Sequence, residues 1–172
     1  MKLNPKLIEF FKKHNLYEFE MFSYFEKHST MLDSDYPDEM MFRTCAHQID
    51  ARTGILKGIH LNLPYVKNEE TMLDSIHELT HAIFAYPQIG KKFKKDITIE
   101  TLSLLFEKLY ILENPSEKLI AYYKHLNSTI TENDKEYYYG DKMSDELLNN
   151  YDYNPKHTIK NLKKLSKKYQ WN

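Results

Sequence analysis

Glu69-Glu70-Thr71-Met72-Leu73-Asp74-Ser75-Ile76-His77-Glu78-Leu79-Thr80-His81-Ala82-Ile83-Phe84 repeats its apolar residues, Leu73, Ile76, Leu79, Ala82, Ile83 and Phe84, at helical spacing. Asn68 is a suitable N-cap, and Glu69 and Glu70 complement the positive end of the helix dipole. The pattern runs to about Tyr86, where Pro87 stops it. Two histidines four residues apart lie one above the other on a helix, so the imidazoles of His77 and His81 converge on one point.

Downstream, Gly90 and the basic run Lys91, Lys92, Lys94 and Lys95 form a solvated connector. A second helix is expected from about Ile97 to Leu112, closed by Asn114-Pro115. Ser116 to Leu126, Glu132 to Asn149 and Pro155 to Tyr169 read as three more helices. Upstream, Leu7, Ile8, Phe11, Leu16, Phe19, Phe22 and Phe25 give residues 4–28 a helical pattern, with Asn15 as a break. Thr30 to Glu39, polar and containing Pro37, reads as a loop. The period then changes: Met41 to Ile49 and Gly58 to Leu63 read as strands around a turn at Asp50-Ala51-Arg52-Thr53-Gly54, with Pro64 ending the second. The expected fold is a single, mainly α domain over residues 1–172, with a small β-hairpin or sheet before the helix that carries His77 and His81.

Composition narrows the function classes. Hydrophobic residues are 41% and charged residues 28% of 172, enough for a core without disulfide or metal staples. The net charge of -1 gives no reason to expect nucleic acid or an anionic membrane as partner. With 4 Gly, a glycine-rich phosphate loop is disfavoured. Cys45 has no second cysteine to pair with, which fits a reducing compartment, and charges interrupt every apolar stretch near the N-terminus. A cytoplasmic protein is expected.

A His-Glu-x-x-His run arises by chance in about 3% of chains of this composition, so its helical, apolar setting matters more than the motif alone. Zinc takes neutral imidazole nitrogens about 2 Å away, and a catalytic site usually has three protein ligands. Glu78, beside His77, is placed to act as general base toward a water. Glu100, nineteen positions after His81 on the next helix, is the expected third ligand if the two helices run antiparallel. Glu107 shares that face but lies about 10 Å along the axis from Glu100, so only one of the two can sit on the metal. A helix with two ordinary histidines and no metal is the competing structural explanation.

These residues resemble the gluzincin metallopeptidases, in particular the oligoendopeptidase F and thimet oligopeptidase family. The likeness lies in Ile59-His60-Leu61-Asn62-Leu63 followed by Thr71 to Ile83, in Glu100-Thr101-Leu102-Ser103-Leu104-Leu105-Phe106-Glu107, and more weakly in Tyr137-Tyr138-Tyr139-Gly140. It implies a zincin-like fold, zinc on His77, His81 and Glu100, Glu78 as general base, and peptide or protein substrates. It also implies an oxyanion donor among Tyr137, Tyr138 and Tyr139, with the choice open; a half-buried aromatic face explains the cluster equally well. Thr80 stands where the family usually has Gly, Leu102 where Pro is common, and the chain is far shorter.

Several smaller readings follow. Ser103 or Asp74 is placed to orient a ligand histidine. A substrate strand is expected to have an edge to join near Ile59 to Leu63. His47, His60 and Cys45 read as structural, with a thiolate cap on zinc as a second role for Cys45. The rival functional class is a regulatory or toxin-like module that uses the same core to act on, or only bind, one specific protein.

Overall fold

In a computed structural model, residues 2–32, 45–49, 56–64, 66–85, 96–128 and 130–169 are described. Among them the chain is mainly helical: α1 (Pro5–Lys13), α2 (Phe19–His28), α3 (Glu69–Ala85), α4 (Asp96–Glu113), α5 (Glu117–Ser128), α6 (Lys135–Leu148) and α7 (Pro155–Lys168), with β1 (Ser29–Leu32), β2 (Cys45–Ile49) and β3 (Leu56–Pro64).

Local chemistry explains the breaks. Asn4 caps α1 by accepting from the Lys6 N–H at 2.9 Å, with Pro5 in the first turn. The helix stops at Asn15, whose φ of 57° is left-handed, a conformation Asn tolerates better than most residues. Asn68 caps α3 by accepting from the Thr71 N–H at 2.9 Å.

The sheet has the order β1-β3-β2. β2 runs antiparallel to β3, with Cys45 opposite Leu61 and His47 opposite Ile59. The turn expected at Asp50 to Gly54 lies outside the described residues. Two readings are corrected. Thr30–Leu32, expected as the start of a loop, belongs to the strand Ser29–Leu32, which pairs parallel with Leu61–Pro64, and such a long-range pairing leaves no local sequence signal. β3 is the middle strand and not an outer one: Ile59 and His60 pair with β2, Asn62 and Leu63 with β1, and Leu61 with both, so a joining strand would meet only half of this segment on either side among the described residues.

α4 is the central helix. Every residue from Thr101 to Leu109 is buried, including Glu107 and Lys108, as expected for a helix apolar nearly all round. α3 packs against β3 and α4, and α4 packs against α6. Gly140 permits that last approach: a Cβ there would sit 3.4 Å from both Leu104 Cδ1 and the Thr101 backbone nitrogen. The core joins Phe11, Phe25, Leu63, Ile76, Leu79, Phe84 and Phe106, all almost completely buried. Among the described residues no helix is long and apolar enough to cross a membrane.

Candidate metal centre

The inner face of α3 presents His77 and His81, and α4 brings Glu100 to them. His77 Nε2 and His81 Nε2 lie 3.0 Å apart. Glu100 Oε1 is 3.2 Å from His81 Nε2, and its Oε2 is 3.5 Å from His77 Nε2. For a tetrahedral ion with bonds of about 2.05 Å, donor atoms are separated by about 3.3 Å. The separation of the two nitrogens and the approach of one Glu100 oxygen to each of them straddle that value, and among the described residues this is the one group of His, Cys, Asp and Glu able to converge in this way.

Two further features make the donors fit a cation. Glu100 Oε2 is buried and has no hydrogen-bond partner, the 3.5 Å approach to His77 being too long to serve as one. On the far side of the His77 ring, Nδ1 lies 2.9 Å from Glu107 Oε1. A proton on Nδ1 shared with that carboxylate leaves the Nε2 lone pair facing His81 and Glu100. The carboxylate therefore selects the tautomer a metal needs.

The electrostatics agree. Burial disfavours a charge on His77, but the carboxylates of Glu107 and Glu100 outweigh it and hold its pKa well above the usual histidine value. Burial pushes Glu100 upward too, yet the His77 and His81 rings beside its carboxylate overcome it and bring its carboxyl down to about 2. Both shifts express one preference, for positive charge at the point where the donors meet.

Glu78 follows His77 on α3 and, with it, lines a cavity of about 410 Å³. Burial raises the Glu78 pKa, with His77 and His81 pulling the other way, an environment that makes a carboxylate a better proton acceptor. Asp74, one turn earlier, lines the same cavity and accepts from the Tyr122 hydroxyl at 2.9 Å. Burial lifts its carboxyl to about 6.

The three candidate tyrosines separate. Tyr137 lines the cavity with His77 and Glu78. Tyr138 turns elsewhere: its hydroxyl donates to Glu132 Oε1 at 3.1 Å, and the Lys142 ammonium lies 3.8 Å from its ring centroid. Tyr139 packs its ring against Tyr138 and Tyr169, with centroids 5.2 and 6.2 Å away. Neither Tyr138 nor Tyr139 is among the residues lining the cavity.

The orienting partner of His77 is neither Ser103 nor Asp74. The Ser103 hydroxyl donates to the His77 backbone carbonyl at 3.3 Å, gripping the helix turn rather than the ring. Glu107 holds the ring. The signal for it was present: Glu107 sits two turns after Glu100 on the same helical face, too far along the axis to share the metal. Lys108 was not foreseen either. It donates to Asp145 Oδ1 at 2.6 Å and to the Asp141 carbonyl at 3.0 Å, and pairs with Asp141 Oδ1 at 2.8 Å. A buried ammonium needs such partners, and these draw α6, with Tyr137, onto α4. The readings of Cys45, His47 and His60 concern side chains outside the described part of the structure. No protein-family model, curated protein or solved structure matches the chain significantly.

Proposed function

We propose that the chain is a zinc-dependent peptidase with a zincin-like arrangement, in which a small hairpin or sheet precedes the metal helix. The observation that carries this reading is the convergence of one donor atom each from His77, His81 and Glu100 to within 4.8 Å of one another, with His77 also lining a cavity beside Glu78. His77 Nε2, His81 Nε2 and a Glu100 oxygen would hold the ion, with Glu107 orienting His77. Zinc bound there would polarise a peptide carbonyl and lower the pKa of a water.

The chain's own groups supply the remaining steps. Glu78 takes a proton from the water as its oxygen bonds to the carbonyl carbon, then passes that proton to the nitrogen as the C–N bond breaks. The Tyr137 hydroxyl donates to the oxygen that gains negative charge as the carbon becomes tetrahedral. Burial of Glu78 keeps its carboxylate basic enough for the first transfer.

Glu78→Gln tests the scheme. With unstructured fluorogenic peptides, the variant is expected to keep its zinc and lose about 10²- to 10⁴-fold in hydrolysis. Full activity in the variant would overturn the role of Glu78. Failure of the zinc-loaded wild type to cut any peptide would overturn the peptidase reading.

A further inference from the structure

The cavity beside Glu78 has a composition that points to a class of substrate. Its wall includes Leu104, Leu126 and Ile130, and Asp74 lies one helical turn from His77 and Glu78 on α3. No lysine or arginine is among the lining residues. Three to four residues of helix advance about 5 to 6 Å along the axis. An extended lysine stem covers a similar distance, and arginine somewhat more. Long basic side chains lay their methylenes on apolar surface and place the charge at a polar end.

We propose that this cavity is a specificity pocket for a lysine or arginine side chain beside the cleaved bond, with Asp74 as its carboxylate partner. The proposal rests on the peptidase reading for the position of the cleaved bond, but the pocket itself stands on the cavity and its lining. Leu104, Leu126 and Ile130 pack on the stem, and Asp74 receives the charge. Asp74 already accepts one hydrogen bond from the Tyr122 hydroxyl, which holds the carboxylate in place while leaving it further acceptor capacity. Glu78 is assigned to the water, Glu107 is engaged with His77, and Asp134, which accepts from the Thr131 backbone and hydroxyl, is exposed where Asp74 is half-buried. Asp74 is therefore the group on the cavity wall suited to read a cation without disturbing the metal donors. The apolar wall distinguishes such a side chain from a substrate's free α-amine, which brings no stem of its own.

The test uses peptides blocked at both ends and differing at one position on either side of the cleaved bond: Lys, Arg, norleucine or Glu. Norleucine keeps an unbranched apolar stem without the charge. Zinc-loaded wild type is expected to cut the Lys or Arg peptide about ten- to a hundredfold faster than the norleucine one, the range for a hydrogen-bonded charge. Asp74→Asn retains an acceptor for Tyr122 and is expected to abolish most of that ratio while cutting norleucine peptides comparably. Cleavage with no basic preference in wild type would overturn the pocket and leave the peptidase reading intact; this comparison does not depend on the variant folding. If no peptide is cut, N-acetyl-lysine methylamide and its norleucine counterpart are titrated by NMR. Selective shifts of the cavity residues by the lysine probe, lost in Asp74→Asn, would uphold the pocket without the peptidase, and equal or absent shifts would overturn it.

Discussion

Glu107→Gln separates an orienting carboxylate from a ligand. Glu107 Oε1 stands 2.9 Å from His77 Nδ1, and its side chain is only 7% exposed, so the pair is poorly screened. Glutamine keeps an oxygen that can accept from Nδ1 and removes the charge. A carboxylate across the ring lies roughly 6 to 7 Å from the metal position, where its attraction for a dication is roughly 5 kcal/mol at an effective dielectric of about 20. The same carboxylate stabilises the proton that the metal must displace from His77, whose pKa it raises. That proton carries half the charge, so the net loss on substitution is about 2.5 kcal/mol, or about 60-fold in affinity. This falls within the ten- to hundredfold typical of groups that orient a metal-binding histidine. Competition with a chromophoric chelator at neutral pH measures it. Unchanged affinity in Glu107→Gln would refute the orienting role, and complete loss of zinc would mean that Glu107, not Glu100, is the ligand.

Two further outcomes test other parts of the structure. Tyr137→Phe is expected to lower kcat by about 10²- to 10³-fold with KM little altered, whereas Tyr138→Phe, whose hydroxyl is turned to Glu132, should change neither; steady-state kinetics on one peptide decides this. His14 is fully buried, with Nδ1 2.6 Å from the Tyr151 hydroxyl and Nε2 3.3 Å from Glu113 Oε1. Burial holds its pKa below the ordinary histidine value despite Glu113. The unfolded chain therefore takes up the proton first, so this contribution to stability is present above about pH 6.5 and lost as the pH falls below it. Denaturation between about pH 5 and 7.5 should show a shallower pH slope in His14→Gln than in wild type; equal slopes would contradict it.

The helices were legible because their signals are local. Asn68, Pro87, Asn114-Pro115 and the apolar spacing around His77 act within a turn or two of chain, and α3 and α4 lie where those residues place them. Asn15 was readable for the same reason, its short polar side chain tolerating the positive φ that divides α1 from α2. The meeting of His77, His81 and Glu100 was legible because the two histidines share a helical face and Glu100 falls on the next helix. What was not legible depends on distant partners. Ser29–Leu32 is polar at its start and becomes a strand through parallel pairing with Leu61–Pro64. Tyr137, Tyr138 and Tyr139 are alike in sequence and point about 100° apart around the helix, so which of them meets the cavity depends on how α6 lies on α4, where Lys108 pairs with Asp141. Glu107 competes with Glu100 as a ligand by residue type alone, but its distance along the axis from Glu100 suits it to the opposite side of the His77 ring.

The most direct test of the metal centre is elemental analysis of purified protein, with wild type and His81→Ala prepared side by side. One zinc ion per chain in wild type, lost from the variant while its helical circular dichroism persists, is the result expected from the donor geometry. Wild-type protein that binds no zinc even when the metal is supplied would contradict it, leaving His77, His81 and Glu100 as a half-buried ion-pair cluster.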